Sequence, residues 1–315
     1  MKEIEDIQLR EDMTVKELTK QMSDSGFQAQ NLGIAIEIIQ EMIKEDAAIF
    51  LSFTSNMAAS GLRGIIISMI KSKKIAAIVT SSGSIDEDII RAKMPYLQGS
   101  FDADDVKLGN EGINRMGNIF VPNDRYQYLE EFSSTVLEET YTQKKSLTPS
   151  ELLSIVGKKI EGESFIKAAA ENNVPVYCPG ITDGAFGMQL SFFKKKHKDF
   201  EIDVLSDFNN VISHAMMYNK NGGIILGGGI AKHHTIISNL MNGGFDYAVY
   251  VHSSSPYRGS LSSATTQEAK SWGKVKESAK AVTIHGDAAI IFPLLVSSIN
   301  EFCKANNQSK SKNLK

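Results

Sequence analysis

The sequence predicts a doubly wound α/β fold, a mostly parallel sheet with helices packed on both faces. Three observations carry this. Short apolar runs recur along the chain, each run exits into glycine or small polar residues, and a stretch with helical spacing follows. Runs that are apolar on both faces and alternate with helices belong to parallel strands covered from both sides.

Taken in order, a charged N-terminal arm is followed by Leu32, Ala35, Ile36, Ile39, Met42 and Ile43, which fall at helical spacing within residues 31–44. Residues 47–53 read as a buried strand that ends at Thr54-Ser55-Asn56, with a helix expected after Gly61. Residues 75–79 lead into Thr80-Ser81-Ser82-Gly83, and residues 174–177 lead through Pro179-Gly180 into Thr182-Asp183-Gly184. Residues 224–226 empty into Gly227-Gly228-Gly229, residues 248–251 into His252-Ser253-Ser254, and residues 281–284 into His285-Gly286-Asp287. In such sheets ligands collect beyond the carboxyl ends of the strands, where these polar exits gather. Residues 102–122 carry few apolar runs and read as an extended connection. Residues 1–305 form one expected domain; the Lys-, Asn- and Ser-rich residues 306–315 read as a disordered tail.

The balance of 42% hydrophobic and 23% charged residues in 315 suits a globular protein with a large core. A net charge of -3 leaves no broad basic field, so nucleic acid is not an expected partner. Cys178 and Cys303 form no CxxC and no metal spacing, so two buried free thiols, a reducing cytoplasm and no metal are expected. Residues 1–20 are charged throughout, unlike a signal peptide. The most apolar stretch, residues 288–299, is too short for a bilayer and contains Pro293, which points to a soluble protein.

The densest chemistry lies in residues 227–274. A strand that opens through glycines into a helix presents backbone N–H groups and a positive helix end to a phosphate. As a tight connection, the same glycine run needs no ligand. Asp86 and Glu87, beyond the Thr80–Ser82 exit, can accept hydrogen bonds from ribose hydroxyls, or simply offset a helix dipole. His233 and His234 are read as opening a helix, one ring solvated and one packed, with the helix start favouring a neutral imidazole. Adjacent helical residues point about 100° apart, so the pair does not share a metal ion easily. Ser271-Trp272-Gly273-Lys274 interrupts helical patterning with a glycine that presents the lysine, and Glu268 lies four residues before Trp272. An aromatic wall and a carboxylate seat an alkylammonium, and a lysine held partly neutral beside a large ring is a nucleophile.

These residues resemble one family, the deoxyhypusine synthases. The likeness runs from Ser25-Gly26-Phe27-Gln28 to Phe292-Pro293-Leu294-Leu295. Between them lie Thr54-Ser55-Asn56, Glu111-Gly112-Ile113-Asn114-Arg115, Thr182-Asp183-Gly184, the Gly227–His234 block, Asp246-Tyr247-Ala248-Val249-Tyr250 and Ser271-Trp272-Gly273-Lys274. The resemblance implies a Rossmann-like sheet, a cytoplasmic homotetramer with active sites shared across an interface, and NAD as cofactor. It also implies a reaction: hydride leaves spermidine for NAD, a lysine captures the resulting imine as 1,3-diaminopropane departs, and a lysine of translation factor 5A accepts the aminobutyl group. Hydride then returns to give deoxyhypusine.

Carried over by motif, the nucleophile is Lys274 and the histidine that assists proton transfer is His233. NAD would contact Ser55, Asn56, Met57, Ala58, Ala59, Thr80, Ser81, Ser82, Glu87, Asp183, Gly228, Ser253, Ser254, Asp287 and Ala288. The amine pocket would use Asp86, Glu87, Gly259, Glu268 and Trp272. Two positions depart from the family pattern: Met188 ends the Thr182–Met188 motif, and Leu261 stands within Arg258–Ser263, where aspartates are usual. Ile237 likewise replaces an asparagine that often follows the paired histidines. Loss of two ammonium partners is not neutral, so a relative that passes the aminobutyl group to a small amine, as homospermidine synthase does, is the alternative. A silent NAD-binding subunit is disfavoured because Lys274 and His233 remain.

Overall fold

The computed structural model describes residues 2–303. The first half contains α1 (Val15–Met22), α2 (Phe27–Lys44), β1 (Ala48–Phe53), α3 (Ser55–Ala59), α4 (Arg63–Lys71), β2 (Ile75–Thr80) and α5 (Ser82–Lys93). Next come β3 (Leu97–Gln98), α6 (Asp105–Asn110), β4 (Ile113–Met116), β5 (Ile119–Pro122), α7 (Asp124–Gln143) and β6 (Ser146–Leu147). They are followed by α8 (Pro149–Lys159), α9 (Phe165–Glu171), β7 (Val176–Tyr177), α10 (Ala185–Lys196) and β8 (Glu201–Ile202). The last part holds α11 (Val204–Met216), β9 (Asn221–Leu226), α12 (Gly229–Ser238), β10 (Phe245–His252), α13 (Thr266–Ser271), β11 (Val275–His285) and α14 (Ala288–Ser297).

Six strands form the main sheet in the order β11-β10-β9-β1-β2-β7, with every neighbouring pair parallel. The chain starts at the centre, winds out through β2 and β7, then returns to the other side for β9, β10 and β11. The winding reverses between β1 and β9, so a crevice is expected beyond Phe53 and Leu226, which are register partners. Every residue of β1 and β9 is buried, which explains their uninterrupted apolar reading. Alternate side chains feed two cores: Ile49, Leu51 and Phe53 pack under α2, α4, α5 and α14, whereas Ala48 and Phe50 pack under α11, α12 and α13. The doubly wound prediction is met.

Residues 102–122 are not an extended connection. They hold α6, capped by the Asp104 side chain on the N–H groups of Val106 and Lys107, and a hairpin of β4 and β5 that pairs antiparallel with β3. Of the residues of β3, β4 and β5 only Val121 is buried, too little apolar content to be legible as strands. The expected helix after Gly61 is α4, but a short helix, α3, already starts at Ser55. Both cysteines are free; Cys178 is buried as expected, whereas Cys303 is exposed. The tail at residues 306–315 lies outside the described residues. Among the described residues no helix is long and apolar enough to cross a membrane.

Three consecutive acids on α5 are divided by their surroundings. Asp86 accepts N–H bonds from Ala185 (2.7 Å) and Phe186 (2.8 Å) at the start of α10. Asp88, fully buried, accepts from the Ser164 hydroxyl and from the N–H groups of Phe165 (3.1 Å) and Ile166 (2.9 Å) at the start of α9, with Arg63 at 3.5 Å. Each carboxylate thus satisfies the unpaired donors of a different helix. Only Glu87 keeps an oxygen with no partner. Replacing Asp88 by Asn turns an N–H donor toward N–H donors and removes the charge partner of Arg63, which keeps the carbonyls of Asp88 and Arg91. A loss of about 3 kcal/mol in stability is expected from chemical denaturation; a loss below about 1 kcal/mol would contradict this assignment.

Candidate active site

At the carboxyl edge, α3 and α5 start side by side. Neither has a side-chain cap. A Cβ added at Gly83 would lie 2.8 Å from Ser55 Cβ, so only glycine lets the two helix starts approach this closely. The Thr80 hydroxyl donates to Phe53 O (2.8 Å), and the Ser82 hydroxyl donates to Ile181 O (3.0 Å). Both hydroxyls therefore belong to the scaffold, whereas the Ser81 hydroxyl is buried without a partner. The side chains of Met57, Ala58 and Ala59 are buried in the core, and the carbonyls of Ala58 and Ala59 accept from Arg91. Asp183 and Ser253 are exposed; Asp287 accepts from Ala289 N–H (2.7 Å) as the cap of α14, and Ala288 is buried behind it. Gly228 sits against Ser262, whose hydroxyl accepts the Gly229 N–H (2.9 Å).

Lys274 is placed by a helix cap. Gly273 has φ of +66°, Gly273 N–H bonds to Lys270 O (3.0 Å), and Lys274 N–H bonds to Ala269 O (3.1 Å). This pair of bonds closes α13 in a Schellman turn, with Trp272 as the cap residue and glycine at the left-handed position. Phe245 N–H then donates to Lys274 O (3.1 Å), so the lysine is clamped between the helix end and the amino end of β10. Its Nζ lies 5.2 Å from the Trp272 ring centroid. Trp272 is 64% exposed, so within one chain the expected apolar enclosure covers the amine from one side only. The backbone of Lys274, bonded to Phe245, stands eight residues of β10 from Ser253, roughly 26 Å at about 3.3 Å per residue. The lysine and the strand exits therefore occupy opposite ends of the sheet, with α12 between them.

His233 and His234 do not open α12, which begins at Gly229. They fall in its second turn, where burial rather than the helix end governs them. His233 is half-buried, and burial and then the nearby Lys274 charge hold its pKa below the usual value. His234 packs on Phe208 of α11, with ring centroids 5.0 Å apart, and burial followed by His233 pushes it down to about 4. One packed ring and one solvated ring were expected; His234 is packed on Phe208, but His233 is half-buried rather than solvated.

Several residues were not singled out from sequence. Lys232 is 1% exposed; its ammonium donates to Ala264 O (2.6 Å) and Ser262 O (3.3 Å) and lies 4.7 Å from the Tyr250 ring centroid. Burial pushes it down to about 8. It ties α12 to the segment entering α13, and lysine in a helix with polar neighbours gives no sign of this in sequence. His252 and His285 are register partners with ring centroids 5.0 Å apart, and each leaves Nε2 without a partner. Of the remaining expected residues, Glu268 and Gly259 are exposed, Met188 is 51% exposed on α10, and Leu261 packs against the core beneath α13.

Substituting Gly273 by Ala forces a side chain into the left-handed region and is expected to cost about 1 kcal/mol, whereas Asn, which tolerates that region, costs less. Equal costs in chemical denaturation would contradict the cap. His234 titrates lower in the folded chain than its unfolded value of 6.5. Its contribution to stability is therefore complete above that value and is lost as pH falls toward 4, on the order of 2 kcal/mol. His234→Phe should flatten the stability profile across this window; an unchanged slope would contradict it.

A sequence model of the deoxyhypusine synthase family matches residues 17–299. A relative from Thermoplasma acidophilum named "Probable deoxyhypusine synthase" is 42% identical over 297 residues, covering 93% of this chain and 96% of the relative. One of the same name from Schizosaccharomyces pombe is 38% identical over 304 residues, covering 91% and 87%. The crystal structure of a candidate deoxyhypusine synthase from Entamoeba histolytica superposes with a TM-score of 0.61 at 26% identity, covering 91% of this chain and 93% of that one. A six-stranded doubly wound sheet, the Lys274 cap beside Trp272 and these likenesses agree, and the chain belongs to the deoxyhypusine synthase family.

Proposed function

We propose that this protein is an NAD-dependent aminobutyl transferase that moves the aminobutyl group of spermidine to a lysine of translation factor 5A through an imine on Lys274. The observation that carries the reading is the cap that fixes Lys274 against the Trp272 ring and near His233, in a chain of this family.

The carboxyl edge has the features a dinucleotide needs. Two uncapped helix starts lie against each other, and a buried serine hydroxyl, Ser81, lacks a partner there. Backbone N–H groups at such a place suit phosphate oxygens, and Ser55, Asn56, Asp183, Ser253, Ser254 and Asp287 would supply the remaining polar contacts. NAD, when bound, supplies the hydride acceptor that converts the amine to an imine and the donor that reduces the product. The other steps fall to the chain. His233, held neutral by burial and by Lys274, takes a proton from the attacking amine. Lys274 Nζ forms the covalent bond while a diamine leaves. The Trp272 face and Glu268 hold the cationic chain of the substrate in line with it.

The open side of Trp272 and the distance between Lys274 and the strand exits favour a homo-oligomer, by family a tetramer, in which a second copy closes the site. A small-amine acceptor remains the second reading, because Met188 is half-exposed and Leu261 is packed away where acids would hold an ammonium. Incubation with NAD, spermidine labelled in the aminobutyl carbons, translation factor 5A and putrescine separates the two. Label on the factor is expected; label on putrescine alone would replace the first reading with the second.

A further inference from the structure

The carboxyl ends of β10 and β11 hold a pair of histidines that the transfer chemistry does not use. His252 and His285 are register partners, and their rings meet edge to face. Side chains alternate along a strand, so each ring shares a face with the residue two before it. The Tyr250 ring receives the Lys232 ammonium of α12, and the Thr283 hydroxyl accepts the Thr266 N–H of α13 (2.9 Å). Both histidines therefore lie on the α12 and α13 side of the sheet. His252 is 3% exposed, and Nε2 of each ring is buried without a partner. The Tyr250 hydroxyl, on the same face, also lacks one. Just beyond the pair, the strands reach the exposed residues Ser253 and Asp287. The two rings stand immediately inside two of the exits at which a cofactor is expected.

The proton of His252 is located by its neighbours. Nδ1 lies 3.1 Å from Ser254 O, a carbonyl that can only accept, so Nδ1 carries the hydrogen. Burial, and then Lys232 and His285, hold the ring down to about 4, so it is neutral and Nε2 is a bare acceptor. His285 Nε2 is under no such bond and can carry its proton. Together the two nitrogens present an acceptor beside a donor. A phosphate offers only acceptors and an ammonium only donors, so neither completes the pair. A planar group with an amino hydrogen beside an sp2 acceptor reaches both rings at once. The dinucleotide has two such edges, the amino side of adenine and the carboxamide of nicotinamide.

We propose that His252 and His285 are specificity-determining residues for the cofactor, the pair receiving an amino group and its neighbouring acceptor from one end of the dinucleotide. This rests on the NAD-dependent reading above and adds to it the side chains that read a heterocycle of the cofactor. A ligand edge reaches them past Ser254 and Ser255, both partly exposed.

Calorimetric titration of three dinucleotides into wild type, His252→Phe and His285→Phe tests the pair. NAD is compared with nicotinamide hypoxanthine dinucleotide, in which an oxo group replaces the amino group of the base. The third is 3-acetylpyridine adenine dinucleotide, in which a methyl replaces the amino group of the carboxamide. In wild type one analogue should bind about tenfold or more weakly than NAD, the cost of leaving a buried acceptor unpaired. The analogue that is penalised identifies the end of the cofactor that the pair holds. Both variants should weaken NAD, and His252→Phe should largely abolish the penalty. Analogues that bind as NAD does, the result expected if only water fills the pair, would overturn the proposal and leave the transferase reading intact. A penalty unchanged by His252→Phe would do the same. Nitrogen-15 spectra of histidine-labelled wild type need no variant: NAD should shift the Nε2 resonance of His252 as it accepts a hydrogen bond, and an unmoved resonance overturns the proposal. A wild type that binds no dinucleotide would overturn both readings.

Discussion

The left-handed turn at Gly273 sets the position of Lys274 and of the Trp272 ring beside it. It ends α13 and begins β11 in the space of three residues, and both main-chain groups of Lys274 are used in doing so. The N–H closes the helix on Ala269, and the carbonyl receives Phe245 at the first rung of the β10–β11 ladder. A side chain on a flexible four-carbon stem gains precision only if its backbone is immobile, and here the helix cap and the sheet immobilise it from opposite directions. The Trp272 ring, one residue before the glycine, is delivered by the same turn. α12 runs over the same face of the sheet and brings His233 within electrostatic reach.

A second constraint operates at the other end of the molecule. Helix starts leave unpaired N–H groups, and a large doubly wound protein gathers many of them near one edge. In this chain α5 supplies caps for two other helices through Asp86 and Asp88, while its own start and that of α3 remain uncapped. The edge is therefore divided between donors that the fold has already satisfied and donors it has left open. Under the proposed function, the second set is what would receive the cofactor phosphates. Gly83 keeps that set together by permitting the close approach of Ser55.

Much of this was legible in sequence for a physical reason. Strands buried on both faces, such as β1 and β9, leave continuous apolar runs, and their exits must be small or polar because they meet one another at the crevice. Three of the family motifs, Thr54-Ser55-Asn56, Thr182-Asp183-Gly184 and the Gly227–His234 block, follow the carboxyl ends of β1, β7 and β9, where small and polar residues are easiest to read. The β3–β5 hairpin was not legible, since strands with a single buried side chain have no pattern to detect. Nor could sequence show which of Asp86, Glu87 and Asp88 was free, because their partners lie about 80–100 residues away along the chain. The buried ammonium of Lys232 was missed because it bonds to carbonyls and pairs with no acid. Placing the paired histidines at a helix start was an error of one turn, arising because α12 already begins at Gly229, the last glycine of the run.

The central claim is that the amine at the end of α13, and no other, captures the oxidised substrate. Two lysines are the natural contenders, Lys274 beside Trp272 and Lys232 in the neighbouring helix, whose amine is lowered to about 8 but enclosed by carbonyls. Borohydride reduction of the protein during turnover with NAD and spermidine, followed by peptide mapping by mass spectrometry, decides between them. An aminobutyl adduct confined to the peptide carrying Lys274 is the expected result; an adduct on Lys232, or none on either lysine in a protein that still transfers the group, would contradict the account.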